Sequence, residues 1–261
     1  MFFPIPRFGE ADSMKNNRST QDTKIAHANS SLVQVIRPDI IVSSGIAELD
    51  RLCGGFKAGE LTLVDGNSSL IAALPDHLCV NTYRTFRSET IYIDAGMRAN
   101  PYQIARYARL LELDQREVLQ NVLMSRAFTV YQLSTILQDL LEPVLKSRSP
   151  RTLLIGMLPA LYHDPELSAR EAQTLLLQDL KKIQQLTTTY HLITVCTNLD
   201  AMPLTPSKGL GKTLYDNVTE IIRIKHIEQC ISLELLKKQQ STTIVCDAKG
   251  QLRLEAFGMV I

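Results

Sequence analysis

Continuous runs of apolar residues alternate along this chain with longer stretches in which apolar residues recur every three or four positions. Short continuous runs are typical of strands buried on both faces of a parallel sheet, and the periodic stretches are typical of helices packed against it. The pattern predicts strands at residues 61–64, 90–94, 122–125, 151–157 and 192–197. Their alternation with helices predicts an α/β fold with a mainly parallel central sheet flanked by helices on both faces.

Helix starts can be recognised from side chains that cap the first turn. Asn100-Pro101, Thr129 with Gln132, and Ser168 with Glu171 each precede a periodic apolar stretch. An Asn, Ser or Thr oxygen can accept a hydrogen bond from a free backbone N–H of that turn, and proline is tolerated at the first helical position. Helices are therefore predicted to begin near residues 101, 130 and 169.

The pattern changes after residue 217. Strand-like runs follow one another there without helical stretches between them, at residues 218–224, 230–236, 242–246 and 252–257. Consecutive strands with short connections pair as antiparallel neighbours. The C-terminal part is therefore predicted to extend the sheet with antiparallel strands.

Composition limits the organisation of the protein and its partners. A chain of 261 residues with 45% hydrophobic content can bury one substantial core, which we assign to residues 32–261, behind a flexible polar tail at 1–31. The net charge of +1 gives no global attraction to nucleic acid or membrane, so such binding would need a local patch. With no apolar run of membrane-spanning length, and cysteines spaced for neither metal nor disulfide, we expect a soluble intracellular protein, cytoplasmic, nucleoid-associated or nuclear.

Residues 59–80, GELTLVDGNSSLIAALPDHLCV, have the outline of a strand, a phosphate loop and a helix. A working phosphate loop ends in Gly-Lys-Ser/Thr, where backbone N–H groups surround the phosphates while the lysine and the hydroxyl handle charge and magnesium. Counting from Gly66, those three places hold Ile71, Ala72 and Ala73. The sequence therefore predicts the frame of a nucleotide site without its phosphate-binding side chains.

The helix behind this loop contains Pro75. Because proline is best tolerated in the first turn, we expect the helix to begin near Pro75, about one turn later than behind an intact phosphate loop. We also expect Ile71 and Leu74 to fill the phosphate pocket as buried core, since burial of each is favourable by roughly 1.5 to 3 kcal/mol.

Several segments, taken in order, resemble the core domain of the RecA/RadA recombinase family, and the archaeal and eukaryotic type in particular. They are SSGIAELDRLCGG (43–55), GELTLVDG (59–66), the stretch from TIYIDAG to SRAF (90–128), RTLLIGMLPALY (151–162) and LITVCTNLDA (192–201). The resemblance implies a RecA-like P-loop NTPase fold. It implies nothing about retained chemistry, because fold and site are separable.

The same resemblance locates further departures from the family pattern. Gly96 stands where the family has the glutamate that activates water, and Gly156 stands where it has the magnesium-binding aspartate. Asn198 matches the family's nucleotide-sensing asparagine, but Leu199 replaces the glutamine beside it. We therefore expect a pseudo-ATPase with no catalytic residue, no bound cofactor and no metal.

The family contacts DNA through two loops. The second corresponds to residues 200–216, a predicted long loop in which Lys208 and Lys212 lie among glycines and are the candidate nucleic-acid contacts. Residues 8–11, Phe-Gly-Glu-Ala, are similar to the Phe-x-x-Ala tether through which family members join neighbours.

The leading hypothesis is an accessory or regulatory protein in DNA recombination or repair that does not hydrolyse ATP. Its partner would be a protein, such as a recombinase or a paralogue in a homo- or hetero-oligomer. Single-stranded DNA is a possible second partner, and no membrane contact is expected. One alternative is a KaiC-like regulatory scaffold outside DNA repair. Another is a DNA-dependent ATPase with an unconventional site.

Overall fold

A nine-stranded sheet with helices on both faces forms the centre of this computed structural model, which describes residues 3–4, 40–199 and 209–245. Its strands follow the order β1-β6-β5-β7-β8-β4-β9-β10-β11, and β2 and β3 form a separate two-stranded ribbon. The strands are β1 (Phe3–Pro4), β2 (Ile41–Val42), β3 (Phe56–Lys57), β4 (Leu61–Gly66), β5 (Thr90–Asp94), β6 (Val122–Arg126), β7 (Thr152–Gly156), β8 (Ile193–Leu199), β9 (Glu220–Ile227), β10 (Cys230–Leu235) and β11 (Gln240–Val245).

The six strands from β6 to β9 in this order pair in parallel, whereas β9, β10 and β11 pair antiparallel. The predicted mainly parallel sheet with C-terminal antiparallel strands is therefore confirmed. The strand predicted at 252–257, the tether at 8–11 and most of the tail at 1–31 lie outside the described residues. Of the described residues, only those of β1 belong to that tail, and β1 pairs antiparallel with β6. The domain boundary at residue 32 falls outside the described residues and stays a prediction.

Helices cover both faces of the sheet. They are α1 (Ala47–Cys53), α2 (Leu70–Phe86), α3 (Pro101–Leu110), α4 (Gln115–Gln120), α5 (Val130–Thr135), α6 (Leu141–Arg148), α7 (Ala169–Thr189) and α8 (Leu210–Asp216), with a π-helical turn at Ile136–Leu140 and a 3₁₀ turn at Ala160–His163. In β4, Val64 packs with residues of α2 and α3, while Leu61 and Leu63 pack with residues of α5, α6 and α7. Side chains on alternate sides of each strand thus build two cores, as expected for a sheet buried on both faces.

The helix starts predicted from capping residues are confirmed. The Asn100 side chain accepts a hydrogen bond from the N–H of Tyr102 at 3.0 Å, with Pro101 in the first helical position. Thr129 and Ser168 accept in the same way at the starts of α5 and α7. These short-range signals depend only on neighbours in the chain, which explains why the sequence reveals them.

Two predicted boundaries are wrong. Helix α2 begins at Leu70 and holds Pro75 in its second turn, because Leu70, Ile71 and Leu74 are buried there and outweigh the hydrogen bond that proline cannot donate. The loop predicted at 200–216 is helical from Leu210 onward, since Leu210 and the residue four positions later are both fully buried.

A buried carboxylate joins α7 to the opposite helices. Asp179 is fully buried and accepts hydrogen bonds from the Ser134 hydroxyl at 2.9 Å, the Gln138 amide at 2.8 Å and the Tyr162 hydroxyl at 2.6 Å. Gln138 lies in the π-helical turn. The π-helical turn therefore provides a hydrogen-bond donor to Asp179, and a carboxylate buried away from water requires such donors.

Gly66 is predicted to tolerate no side chain. Its φ is +131°, and a Cβ there would lie 2.1 Å from the carbonyl oxygen of Ile224, so Gly66→Ala should lower the free energy of unfolding by about 3 kcal/mol or more. Gly54→Ala is the matched control, because its φ is +75° but no atom lies within 4 Å of the added Cβ. Urea denaturation should show a loss of about 1 kcal/mol for that control. Equal losses would mean that β9 shifts to make room.

Candidate functional site

The connection from β4 to α2 is only three residues long, 67–69. The Asn67 N–H donates to the carbonyl oxygen of Ile224 at 3.2 Å, and its side-chain oxygen accepts from the N–H of His226 at 2.7 Å. Both partners belong to β9, so this short loop is fixed to the neighbouring strand. It leaves little backbone to wrap around a ligand.

The three positions at which the family pattern has Gly-Lys-Ser/Thr lie in the first turn of α2. The Ile71 N–H donates to the carbonyl oxygen of Ser68 at 3.1 Å, while Ala72 and Ala73 donate to that of Ser69 at 3.1 and 3.3 Å. A phosphate-binding loop needs its N–H groups pointing together into open space. Here these three are already hydrogen-bonded within the chain.

The predicted burial of Ile71 and Leu74 is confirmed. Ile71 and Leu74 have no exposed surface, and both pack in the cluster on the α2 side of the sheet. The first turn of α2 is therefore held down by burial rather than by contacts to a ligand.

The other predicted site residues meet at the carboxyl edge of the sheet. Gly156 ends β7 beside Asp94 at the end of β5, and the carbonyl oxygen of Gly156 accepts from the N–H of Ala95 at 3.0 Å. A Cβ at Gly96 would lie 2.4 Å from the side chain of Met157. Met157 thus fills the space over position 96.

Asn198, the predicted nucleotide-sensing asparagine, lies one strand further along this edge. It pairs in register with Asp65 of β4, is 1% exposed, and its Oδ1 has no hydrogen-bond partner among the described residues. Lys212 is exposed in the first turn of α8 rather than in a loop, and Lys208 lies outside the described residues. The structure therefore does not test the two lysines as a pair.

Asp94, at the end of β5, organises the loop that follows it. Its fully buried carboxylate accepts from the backbone N–H groups of Gly96, Arg98 and Ala99 at 3.0 to 3.2 Å and from Arg126 Nε at 3.1 Å. These donors and the guanidinium occupy both of its oxygens. Asp94 therefore fixes the β5–α3 loop and has no capacity left for a ligand.

A second buried ion pair escaped the sequence analysis. Asp65 of β4 accepts from Arg223 of β9 at 3.0 and 2.8 Å and also from the hydroxyl of Tyr215 in α8. Hydrogen bonding to Asp65 raises the pKa of the Arg223 guanidinium. The sequence signal was an aspartate that directly follows the apolar run of a predicted buried strand, because a buried charge requires a partner. Its partner, 158 positions away, could not be read from that signal.

A cleft of about 380 Å³ separates α2 from α3. It is lined by Ser69, Ala72, Ala73, Asp76, His77, Arg98, Asn100, Gln103, Arg106, Tyr107 and Leu110. His77 stacks on Tyr107 with ring centroids 4.1 Å apart, and burial lowers the pKa of His77 to about 4. The imidazole is therefore neutral near pH 7, and the arginines dominate the charge of the cleft.

Asp76 lies at the base of this cleft and is 6% exposed. Its Oδ1 has no hydrogen-bond partner in the described part of the chain. The pKa of Asp76 is raised to about 7, mainly by burial; the Asn100 backbone N–H lowers it and the charge of Asp94 raises it, both to a smaller extent. Near neutral pH this carboxyl is partly protonated.

Comparison with known proteins assigns the family. The Rad51 family model matches residues 36–217. The chain belongs to the Rad51 family. The predicted resemblance to the RecA/RadA recombinase core, and with it the RecA-like fold, is therefore confirmed.

Curated Rad51 relatives match at low identity. The DNA repair protein RAD51 homolog 1 of Arabidopsis thaliana is 27% identical over 187 residues, which cover 67% of this chain and 54% of the relative. The DNA repair protein Rad51 homolog of Drosophila melanogaster is 27% identical over 188 residues, covering 67% and 55%. The chain thus spans about half the length of the curated relatives it matches.

The Rad51 match covers the region from β2 to α8 and stops before β9. The strand that supplies Arg223 to Asp65 and holds Asn67 therefore lies beyond it. Within the described residues, no three His, Cys, Asp or Glu side chains gather as a metal site. No helix in the same ranges combines the length and hydrophobicity needed to cross a bilayer.

Replacing Asp76 by asparagine should stabilise the protein at alkaline pH. The folded pKa of about 7 exceeds the ordinary value of 3.8, so the folded state holds a proton that the unfolded state has already lost between these values. The free energy of unfolding is therefore highest below pH 3.8. It falls as the pH rises from 3.8 to 7, by up to about 4 kcal/mol. Asp76→Asn removes this loss. Urea denaturation should show the variant more stable than the wild type at pH 8, with a smaller difference at pH 5.

Asp139 provides the control, because it is exposed on the π-helical turn. Asp139→Asn should change stability by less than about 0.5 kcal/mol at either pH. A pH-independent difference between Asp76→Asn and the wild type would contradict the proposed titration.

Proposed function

We propose that this chain is a non-hydrolysing member of the Rad51 family that acts as an accessory or regulatory protein in DNA recombination or repair. The relatives in Arabidopsis and Drosophila are named as DNA repair proteins, which supports the biological setting. The first turn of α2 carries the proposal on the chemical side. Its N–H groups at Ile71, Ala72 and Ala73 are used within the chain, and Ile71 is fully buried.

Binding a triphosphate at this position would require the turn to unwind. Exposing Ile71 costs roughly 1.5 to 3 kcal/mol, and each backbone hydrogen bond that is broken costs about 1 kcal/mol unless the phosphate replaces it. Ala72 provides no positive charge and Ala73 provides no hydroxyl to offset these costs. Gly96 and Gly156 offer neither a base nor a magnesium ligand at the neighbouring strand ends.

The retained core would then act through its surfaces. The protein partner we propose is a recombinase or a paralogue of this chain, bound in a homo- or hetero-oligomer. Possible single-stranded DNA binding belongs to the same proposal, and Lys208 with Lys212 are its sequence candidates.

Calorimetric titration with ATP and magnesium should give no saturable heat at nucleotide concentrations up to about 1 mM, a limit equivalent to about −4 kcal/mol of binding. The physical reason is the buried first turn of α2, which presents neither free N–H groups nor a lysine to the phosphates. A Rad51 protein with the complete Gly-Lys-Thr ending serves as the positive control in the same buffer. Micromolar affinity for ATP would contradict the proposal.

A second measurement addresses the partner. The full chain, immobilised, should retain a recombinase purified from the same source, with or without ATP in the buffer. Absence of any retention would count against an accessory role. So would retention that occurs only when this chain, rather than the recombinase, has been supplied with ATP.

A further inference from the structure

One face of the protein carries exposed arginines from two helices. We call it the arginine face and define it by Arg84 of α2, Arg98 of the β5–α3 loop, and Arg106 and Arg109 of α3, all of them exposed. The positive charge of Arg84 acts on the Tyr107 hydroxyl, which places this arginine beside α3. Residues 95–111 contain three arginines and no acidic residue. The charge is thus concentrated on a chain whose net charge is only +1.

An exposed aromatic ring lies within this arginine face. Tyr102 is 86% exposed, the highest value among the large hydrophobic and aromatic side chains that are exposed in the described ranges. Arg106 and Arg109 follow it at the i+4 and i+7 positions of α3, so the three side chains share one stripe of the helix. The stripe is about 10 Å long, at 1.5 Å per residue.

These arginines also lack the acidic partners that other basic residues have. Arg51, Lys146 and Lys182 form ion pairs with glutamates, whereas Arg98, Arg106 and Arg109 form none with the described residues. An isolated exposed pair contributes little stability, but its absence leaves the full positive charge available to a ligand.

Four acidic residues lie close to the arginine face. Asp50 acts on the same Tyr107 hydroxyl as Arg84, and Asp94 accepts from the backbone N–H of Arg98 but is ion-paired with Arg126. Glu112 follows α3 in the sequence, and Asp76 is buried at the base of the cleft, where its carboxyl is partly protonated near pH 7. Among the described residues, none of the four is ion-paired to an arginine of this face. With His77 neutral, the cleft and its rim favour an anion.

The cleft next to the stripe has room for an anionic group. Arg98 and Arg106 line it together with the amides of Asn100 and Gln103. The first turn of α2, at Ser69, borders the same space and has no acidic residue. Guanidinium groups bind phosphate oxygens in a bidentate manner, so the arginines are the groups that would hold the anion.

We propose that the arginine face binds single-stranded DNA, with Arg98, Arg106 and Arg109 on the phosphates and a base stacked on Tyr102. This inference rests on the repair role proposed above and gives it contact residues other than Lys208 and Lys212. The carboxylates of an acidic protein would satisfy the arginines but would not stack on the Tyr102 ring, which is 86% exposed. Stacking on an aromatic ring is what single-stranded nucleic acid adds to phosphate contacts.

The test is fluorescence anisotropy of a labelled oligo(dT) of about 20 nucleotides, which exceeds the usual site size of a single-strand binding fold. The variant R98A/R106A/R109A should bind more than tenfold more weakly at about 0.1 M salt. Its slope of log affinity against log salt should fall by about 2, which is about 0.7 for each phosphate contact removed. Tyr102→Ala should weaken binding about tenfold and leave the salt slope unchanged, because stacking releases no counterions.

Arg51→Ala is the matched control, because Arg51 is an exposed helical arginine on α1 whose side chain is 69% accessible. It should bind like the wild type. If the triple variant fails to fold by circular dichroism, Tyr102→Ala and the single variant Arg106→Glu decide the matter, since both side chains are exposed and make no buried contact that the fold needs.

Other outcomes overturn the inference and separate it from the proposed function. Wild-type affinity in the arginine variants, or loss of binding in Lys208→Ala/Lys212→Ala alone, would place the contact elsewhere. Failure of the wild type to bind oligo(dT) would remove the inference while leaving the ATP-independent accessory role intact. Polyglutamate competing as well as oligo(dT), with no effect of Tyr102→Ala, would identify a face for acidic proteins. Saturable ATP binding would instead contradict the proposed function.

Discussion

Burial of the first turns of α2 is the constraint on which the rest of this site depends. The side chains of Leu70, Ile71 and Leu74, all in α2, are buried in the core between this helix and the sheet. The helix therefore begins directly after the three loop residues that follow β4. With the turn fixed in this way, its N–H groups bond to Ser68 and Ser69 rather than to an external group. The short loop and its attachment to β9 follow from the same placement of the helix.

The sheet was predictable because its strands are continuous apolar runs, and the starts of α3, α5 and α7 were predictable because capping is local. The start of α2 was not, since the effect of Pro75 had to be weighed against burial that only the folded sheet defines. Helix α8 was missed for a related reason. Leu210 and Leu214 have helical spacing, but the glycines around them resemble a loop until both leucines are placed in the core.

The candidate site was only partly predictable from sequence. Counting from Gly66 located the first turn of α2, and the family pattern located the strand ends at Gly96, Gly156 and Asn198. The pairing of Asp65 with Arg223 could not be predicted, because the two residues are 158 positions apart and meet only when β9 pairs with β4. A carboxylate in a buried segment indicates that a hydrogen-bond or ion-pair partner exists but does not identify it. The partners of Asp94, Asp179 and Asp65 lie on different elements.

Asp76 differs from those three carboxylates in its hydrogen bonding. It also lies between the first turn of α2 and the arginine face. Asp94, Asp179 and Asp65 are bonded on both oxygens, whereas Asp76 keeps one oxygen without a partner among the described residues. It lies one turn beyond the former phosphate-loop positions, on the side of α2 that faces α3. Helix α2 can therefore be fixed in the core at its first turn and still present a charged cleft along its side. Loss of phosphate chemistry at the sheet edge need not disturb the arginine face, because the core supports both and none of the four arginines stands at a position of the nucleotide frame.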